Sequence, residues 1–310
     1  MAAQIKSTPT WSLTTVNGEA GPVACIEVGD SLYDLQASLR RVGGDAPLDS
    51  VLALFDDWQT SLELLTKASA CVDQTDKVES KTRLAPLLYP GKIICAGANY
   101  FRHLAEMGVE GATKDNQRLF FFMKPPRNAV VGEGKSVHMP LDTQMFDWEI
   151  ELTAVIGKRA RAVSVNDALD YVAGYTIAID FSARDLNRAP ETFYKLDWVA
   201  GKAQDTCCPV GPRIVPASQI TDPQNLHLKL SVNGIVKQDD TTGDMIFSLA
   251  EQIATASRIM TLDPGDLILT GTPAGVGIPR KEFLNVGDVV DAEIAGIGKL
   301  SVTIQPERID

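Results

Sequence analysis

From Lys92 to about Thr303 the sequence is cut into short runs by glycine, proline and aspartate, and this cadence restricts the fold more than any other feature. KIICAG, FDWEIELTAVIGK, HLKLSVNG, DLILTG and VVDAEIAGIGKLSVTI alternate in polarity between turn residues, which is the pattern of strands. Asn233-Gly234 reads as a hairpin turn, because this pair tolerates positive φ twice. Helical spacing is confined to two stretches, one near NDALDYVAGY and one over DMIFSLAEQIATASRIM. A β-rich, mixed α+β domain over residues 89–310 follows. Residues 1–88 have another texture. PVACIEVG reads as a strand, and Leu52, Leu54, Phe55, Trp58, Leu62 and Leu65 then recur at helical spacing, so a small N-terminal α+β domain is expected there.

Charge and cysteine content remove several function classes. The formal net charge is −11, and nucleic acid or an anionic membrane needs a positive surface, so neither is an expected partner. No apolar run approaches the roughly 18–20 residues that span a bilayer. The five cysteines are odd in number and form no CxxC. Adjacent Cys207 and Cys208 are either a redox pair or, as free cysteines commonly are, small buried apolar residues. A soluble chain in the reducing cytoplasm is the expectation.

Chemistry concentrates in FDWEIEL, residues 146 to 152. On a strand, Asp147, Glu149 and Glu151 share one face, while Trp148, Ile150 and Leu152 share the other. The acidic face is either solvated or offset by a divalent cation, and all-oxygen donors favour Mg²⁺, Mn²⁺ or Ca²⁺ over zinc. Asp180 closes the apolar run YVAGYTIAI, where a buried carboxylate needs a partner. Arg184 at i+4 and a metal ion are the two candidates.

Three further segments carry candidate groups. His103 and Glu106 are three apart at the start of a short helix, so the glutamate can orient the imidazole as a general base. His138 and His227 have no comparable carboxylate in their sequence neighbourhood. Lys202 sits in a polar step where an ammonium can steady an oxyanion. GTPAGVG, residues 271 to 277, is neither a P-loop nor a dinucleotide fingerprint, but its backbone N–H groups can face an anion.

In this order, from about Lys92 to about Thr303, these segments resemble the fumarylacetoacetate hydrolase family. Asn99-Tyr100 with His103 and Glu106, FFMKPP with Lys124, DWEIEL, VAGYTIAIDFSARD, GKAQDTCCPVGP, VNG and LDPGDLILTGTPAGVG carry the resemblance. It implies a β-roll or distorted barrel, a homodimer or tetramer, and Mg²⁺ or Mn²⁺ on Glu149, Glu151 and Asp180. It also implies a His103–Glu106 pair that activates water and a Lys202 that contacts the reacting oxygen. Arg184, Asn187 and the loop at Gly271 and Thr272 then face the substrate. Ile179, Asn187, Gln204 and Cys207 depart from the family's usual residues, which bears on substrate identity.

The expected activity is hydrolysis of a C–C bond in a small diketo acid such as an acylpyruvate. Decarboxylation or isomerisation of an oxo acid on the same site is the first alternative, and a metal-binding protein without turnover the second.

Overall fold

Two apolar runs set the centre of the structure. Ile150–Ile156 and Val172–Ile179 are buried along their whole length, as strands covered on both faces are. They pair antiparallel, with Ile150 opposite Ile179 and Glu151 opposite Ala178. The computed structural model describes residues 10–44, 48, 50–79 and 82–308.

Around this pair runs an 11-stranded sheet. On one side Val172–Ile179 is followed by Cys208–Pro216, Ser12–Gly18, Gly21–Val28 and Ser31–Asp34; on the other, Ile150–Ile156 is followed by Leu267–Leu269, Ile93–Gly97 and Phe120–Lys124. A five-stranded sheet is built from Ile235–Thr241, His227–Val232, Val289–Ile294, Gly298–Gln305 and Ser136–His138. Its strands alternate in burial, with one face turned to the core. Ile150, Leu152 and Ile177 of the first sheet share a core with Leu228, Leu230, Val290 and Leu300 of the second. The β-rich, mixed α+β class read from the sequence holds, and both large sheets are open.

Local patterns explain where the sequence reading shifts. FDWEIELTAVIGK is not one strand. It breaks into Phe146–Asp147 and Ile150–Ile156, and at the break side chains replace ladder partners. Trp148 N–H donates to Asp147 Oδ1 (2.8 Å), and Ile150 N–H donates to Gln238 Oε1 (3.0 Å). NDALDYVAGY yields only a 3₁₀ turn, Ala168–Tyr171, because its tail belongs to the buried strand. VVDAEIAGIGKLSVTI folds as a hairpin of Val289–Ile294 and Gly298–Gln305. Asn233 and Gly234 both have positive φ at the turn between His227–Val232 and Ile235–Thr241. The helix Leu249–Ile259 starts at a capping box of Ser248 and Glu251.

The segment before residue 88 joins the same sheet. Leu13 pairs with Ile214, and the helix Trp58–Ser69 lays Trp58 and Leu65 into a core shared with Ile93, Val155 and Leu267. Buried Glu27 binds Arg83 (2.8 Å) and Arg213 (3.2 Å) across this seam. The texture change near residue 88 is real along the chain, but the core runs through it. Among the described residues, no helix is long and apolar enough to cross a membrane.

Candidate active site

Strand register assembles the carboxylates. Since Ile150 faces Ile179 in an antiparallel pair, the next residues outward, Glu149 and Asp180, also lie side by side, and Asp180 N–H donates to Glu149 O (2.8 Å). Glu151 is two residues along on the same face as Glu149. Ligand oxygens of Glu149, Glu151 and Asp180 all lie within 4.8 Å of one another, and the three residues are buried. The solvated-face reading of this strand is excluded by that burial.

Three cations and a fourth carboxylate complete the cluster. Arg184 Nε donates to Asp147 Oδ2 (2.9 Å), and Arg184 Nη2 donates to Glu149 Oε1. The local i+4 pairing of Arg184 with Asp180 is therefore not what forms. Asp180 instead accepts from Lys124 Nζ (2.5 Å) and Lys202 Nζ (2.7 Å), while Lys202 also donates to Glu149 Oε2 (2.6 Å). Four acidic side chains against three basic ones leave the cluster one negative charge in excess.

The imbalance falls on Glu151. Burial pushes its carboxyl well above the usual range, and Asp180 and Glu149 push the same way. Among the described residues, no basic side chain reaches Glu151 within ion-pair distance; Gly271 N–H donates to its Oε2 (2.7 Å). Glu149 goes the other way. Burial raises its carboxyl, but Arg184 and Lys202 outweigh burial and hold it below the carboxylate range.

The contact between His103 and Glu106 forms as its spacing predicts. On the helix Phe101–Glu106, His103 Nδ1 lies 2.8 Å from Glu106 Oε1. His103 is buried and close enough to Glu149 for its positive form to lower that carboxyl. Buried Asn99 aims the helix: its Nδ2 donates to Phe247 O and Thr270 O, both at 3.0 Å.

The glycine loop does present its amides to anions, but they are the protein's own. Gly271 N–H goes to Glu151, Gly275 N–H to Glu106 Oε2 (2.8 Å), and Gly277 N–H to Asp147 Oδ1 (2.6 Å). A Cβ at Gly275 would stand 2.2 Å from Lys237 O, at a φ of +111°. The Gly271 amide, read from the sequence as able to face an anion, thus faces the Glu151 carboxylate. Thr272 Oγ1 donates to Ile150 O (2.9 Å) and accepts from Gln238 Nε2 (2.8 Å), so it fastens the loop to the carboxylate strand. Asn187 Nδ2 donates to Asp197 O (3.1 Å), so it ties its own turn to the start of the Lys202 helix. His227 does find a carboxylate, Asp239 across the hairpin (2.6 Å), but that pair is exposed.

The sequence gives Asp147 a place on the acidic face and Lys124 a place in the resemblance but no role in the site to either, and it gives Gln238 no signal at all. For Lys124 the local signal is its place in the aromatic strand FFFMK, where a lysine has to find a buried anion.

The donor set fits a hard divalent cation. Three carboxylates bring only oxygen, and two oxygens on opposite sides of a Mg²⁺ ion at about 2.1 Å stand about 4.2 Å apart, close to the spread seen here. Lys202 donates to two of the same carboxylates, Glu149 and Asp180, so its ammonium shares them with such an ion.

The adjacent cysteines sit where burial holds them as thiols. Cys207 and Cys208 are buried, and burial pushes both thiols up to about 12. Cys25 is likewise pushed up to about 12 and Cys95 well above its ordinary value, whereas Cys71 is exposed. Thiolate is the reactive form, so titration with a chromogenic disulfide at pH 8 is expected to release one equivalent from the native protein and five after denaturation. Two or more fast equivalents from the native protein would contradict this.

Comparison with known proteins agrees with the geometry. The family profile described as Fumarylacetoacetate (FAA) hydrolase C-terminal matches residues 92–305. The mitochondrial oxaloacetate tautomerase of Xenopus laevis is 39% identical over 242 residues, covering 76% of this chain and 73% of that protein. The structure of a fumarylacetoacetate hydrolase from Exiguobacterium antarcticum superposes with a TM-score of 0.78 at 30% identity, covering 96% of this chain and all of that one. The fumarylpyruvate hydrolase of Pseudomonas aeruginosa, solved with Mn²⁺ and pyruvate, gives a TM-score of 0.63 at 34% identity over 70% of this chain and 90% of that one. The chain belongs to the fumarylacetoacetate hydrolase family.

Proposed function

We propose that the chain is a divalent-metal-dependent enzyme that moves a proton at the carbon next to the ketone of a small 2-oxo acid. Keto–enol tautomerisation of an oxaloacetate-like substrate is the simplest such reaction. The observation that carries it is the His103–Glu106 pair, fixed by the Gly275 amide beside Glu149. Glu149, Glu151 and Asp180 would hold Mg²⁺ or Mn²⁺, which supplies Lewis-acid polarisation of a chelated oxo acid. His103 takes or returns the proton at substrate carbon 3, and Glu106 keeps the ring turned to that task. Lys202, already on two of the carboxylates, offers its remaining N–H to the substrate's oxygen. The frog relative named a tautomerase supports this reading.

Hydrolysis of an acylpyruvate is the second reading, and the fumarylpyruvate hydrolase supports it. There His103 would take its proton from water, and the Lys202 ammonium would face the oxyanion. A homodimer belongs to the same proposal. Five free thiols suit a reducing compartment such as the cytoplasm; the Xenopus relative is named mitochondrial.

One assay separates the outcomes. Oxaloacetate and a panel of acylpyruvates are given to the protein with Mn²⁺, the enol absorbance is followed, and pyruvate is measured in parallel. Faster enol–keto equilibration without pyruvate is the expected result. Pyruvate from an acylpyruvate would establish hydrolysis, pyruvate from oxaloacetate decarboxylation, and no change in any substrate would remove catalysis. His103→Ala is expected to lose about 10²–10⁴ in kcat while Mn²⁺ affinity, read by calorimetry, is kept. Full activity in that variant would remove His103 from the mechanism.

A further inference from the structure

Side chains two apart on a strand share a face, so Phe120, Phe122 and Lys124 form one row on the edge strand Phe120–Lys124. Exposure climbs along the row: Lys124 is 1% exposed, Phe122 half-buried and Phe120 39% exposed. The buried end of the row is the carboxylate cluster, since Lys124 ends on Asp180. The helix Trp198–Lys202 repeats the gradient over one turn, with Lys202 at 4% and Trp198 at 37%.

The outer residues of both rows meet. Phe122 stacks on Trp198 with centroids 5.2 Å apart, and Phe120 tilts against Trp198 at 5.7 Å. Lys202 Nζ stands 4.9 Å from the Phe122 centroid. Phe120 is backed by Gly97, where a Cβ would come within 2.2 Å of its ring. Gly97 ends the strand that leads through Asn99 into the helix of His103. An aromatic wall therefore joins the base helix to the lysine helix, one step outward from a charged floor.

We propose that Phe120, Phe122 and Trp198 form a subsite for a flat, apolar group at the far end of the substrate. This makes 2-oxo acids that carry a conjugated or aromatic acyl group the preferred class, and it rests on the 2-oxo-acid reading of the site. Both rows lead outward from the floor past Lys202 to these rings, so a 2-oxo acid anchored at the floor reaches them when its far end points outward. A flat apolar group gains buried area and ring contact there, whereas a second carboxylate gains neither.

Oxamate and N-phenyloxamate test this, because they share the chelating end and differ in the flat group. With Mn²⁺ saturating, calorimetry on the wild-type protein is expected to show N-phenyloxamate binding roughly tenfold tighter than oxamate. Phe120→Ala and Trp198→Ala should each shrink that ratio to about twofold or less, with oxamate affinity itself held within about twofold. A ratio near one in wild type, or an undiminished ratio in both variants, overturns the subsite. Failure of both probes to bind overturns the reading of the site, and the subsite with it. Sedimentation is run alongside; a mass that halves in Trp198→Ala would show the rings covered by a second copy of the chain and also overturns the proposal.

Discussion

Glu151→Gln is expected to weaken Mn²⁺ binding by at least about a hundredfold and yet to raise the melting temperature of the protein in EDTA by a few degrees. The two effects have one cause. Glu151 faces Asp180 and Glu149 without a basic partner at ion-pair distance among the described residues, so its charge is useful to a cation and costly to the fold. Glutamine keeps the shape and an acceptor for the Gly271 N–H but adds no charge. The sign with pH follows from the raised carboxyl. The folded protein keeps this proton to a higher pH than the unfolded chain, so wild type loses stability as pH climbs from the ordinary glutamate value, about 4.3, through the folded value. Below that window the variant should melt with wild type, and the gap should open towards neutral pH. Calorimetric melts in EDTA at pH 4 and pH 8, with Mn²⁺ titrations, check both halves. A variant that melts lower at pH 8 and binds Mn²⁺ normally would show that the three carboxylates do not act as a ligand set.

How much of this site was legible depends on chain separation. The His103–Glu106 pair lies within one helical turn, so spacing alone identifies it. Glu149 and Glu151 are two apart on a strand, and their common face follows from the pleat. Asp180 was recognisable as a carboxylate in need of a partner, but which partner depends on register, and no local rule sets Ile150 opposite Ile179. Arg184, close in sequence, is with a metal ion one of its two candidate partners; the sheet instead brings Lys124, 56 residues away. Gln238 lies 88 residues from the Ile150 amide it satisfies, on a strand of the other sheet. The same limit governs the fold. Alternation revealed most strands, but attachment of Ser12–Gly18 to Cys208–Pro216 is a choice among exposed edges made by the whole core. NDALDYVAGY misled because an apolar run entering a buried strand has no period of its own.

Lys124→Met should cost about 3–5 kcal/mol of unfolding free energy in EDTA, the usual penalty for leaving half of a buried pair behind. The lysine is fully buried, 2.5 Å from Asp180 Oδ1, and it also donates to Phe181 O (2.9 Å). Burial works against its charge, yet the Asp180 carboxylate beside it holds it above the ordinary lysine range, so the lysine stays charged at neutral pH. Methionine fills the same volume and returns nothing to Asp180, which keeps only Lys202 beside the other carboxylates. Two controls separate charge from packing. Lys124→Met with Asp180→Asn removes both members and should recover most of the loss, because no carboxylate is then left buried without its partner. Saturating Mn²⁺ should also shrink the deficit of the single variant, since an ion bound only by the folded cluster replaces the missing positive charge and adds its binding energy to folding. Urea unfolding of the three proteins, with and without Mn²⁺, reads all of this. A single variant as stable as wild type, or a deficit that neither Mn²⁺ nor the second substitution changes, would mean that the fold does not depend on charge balance around Asp180.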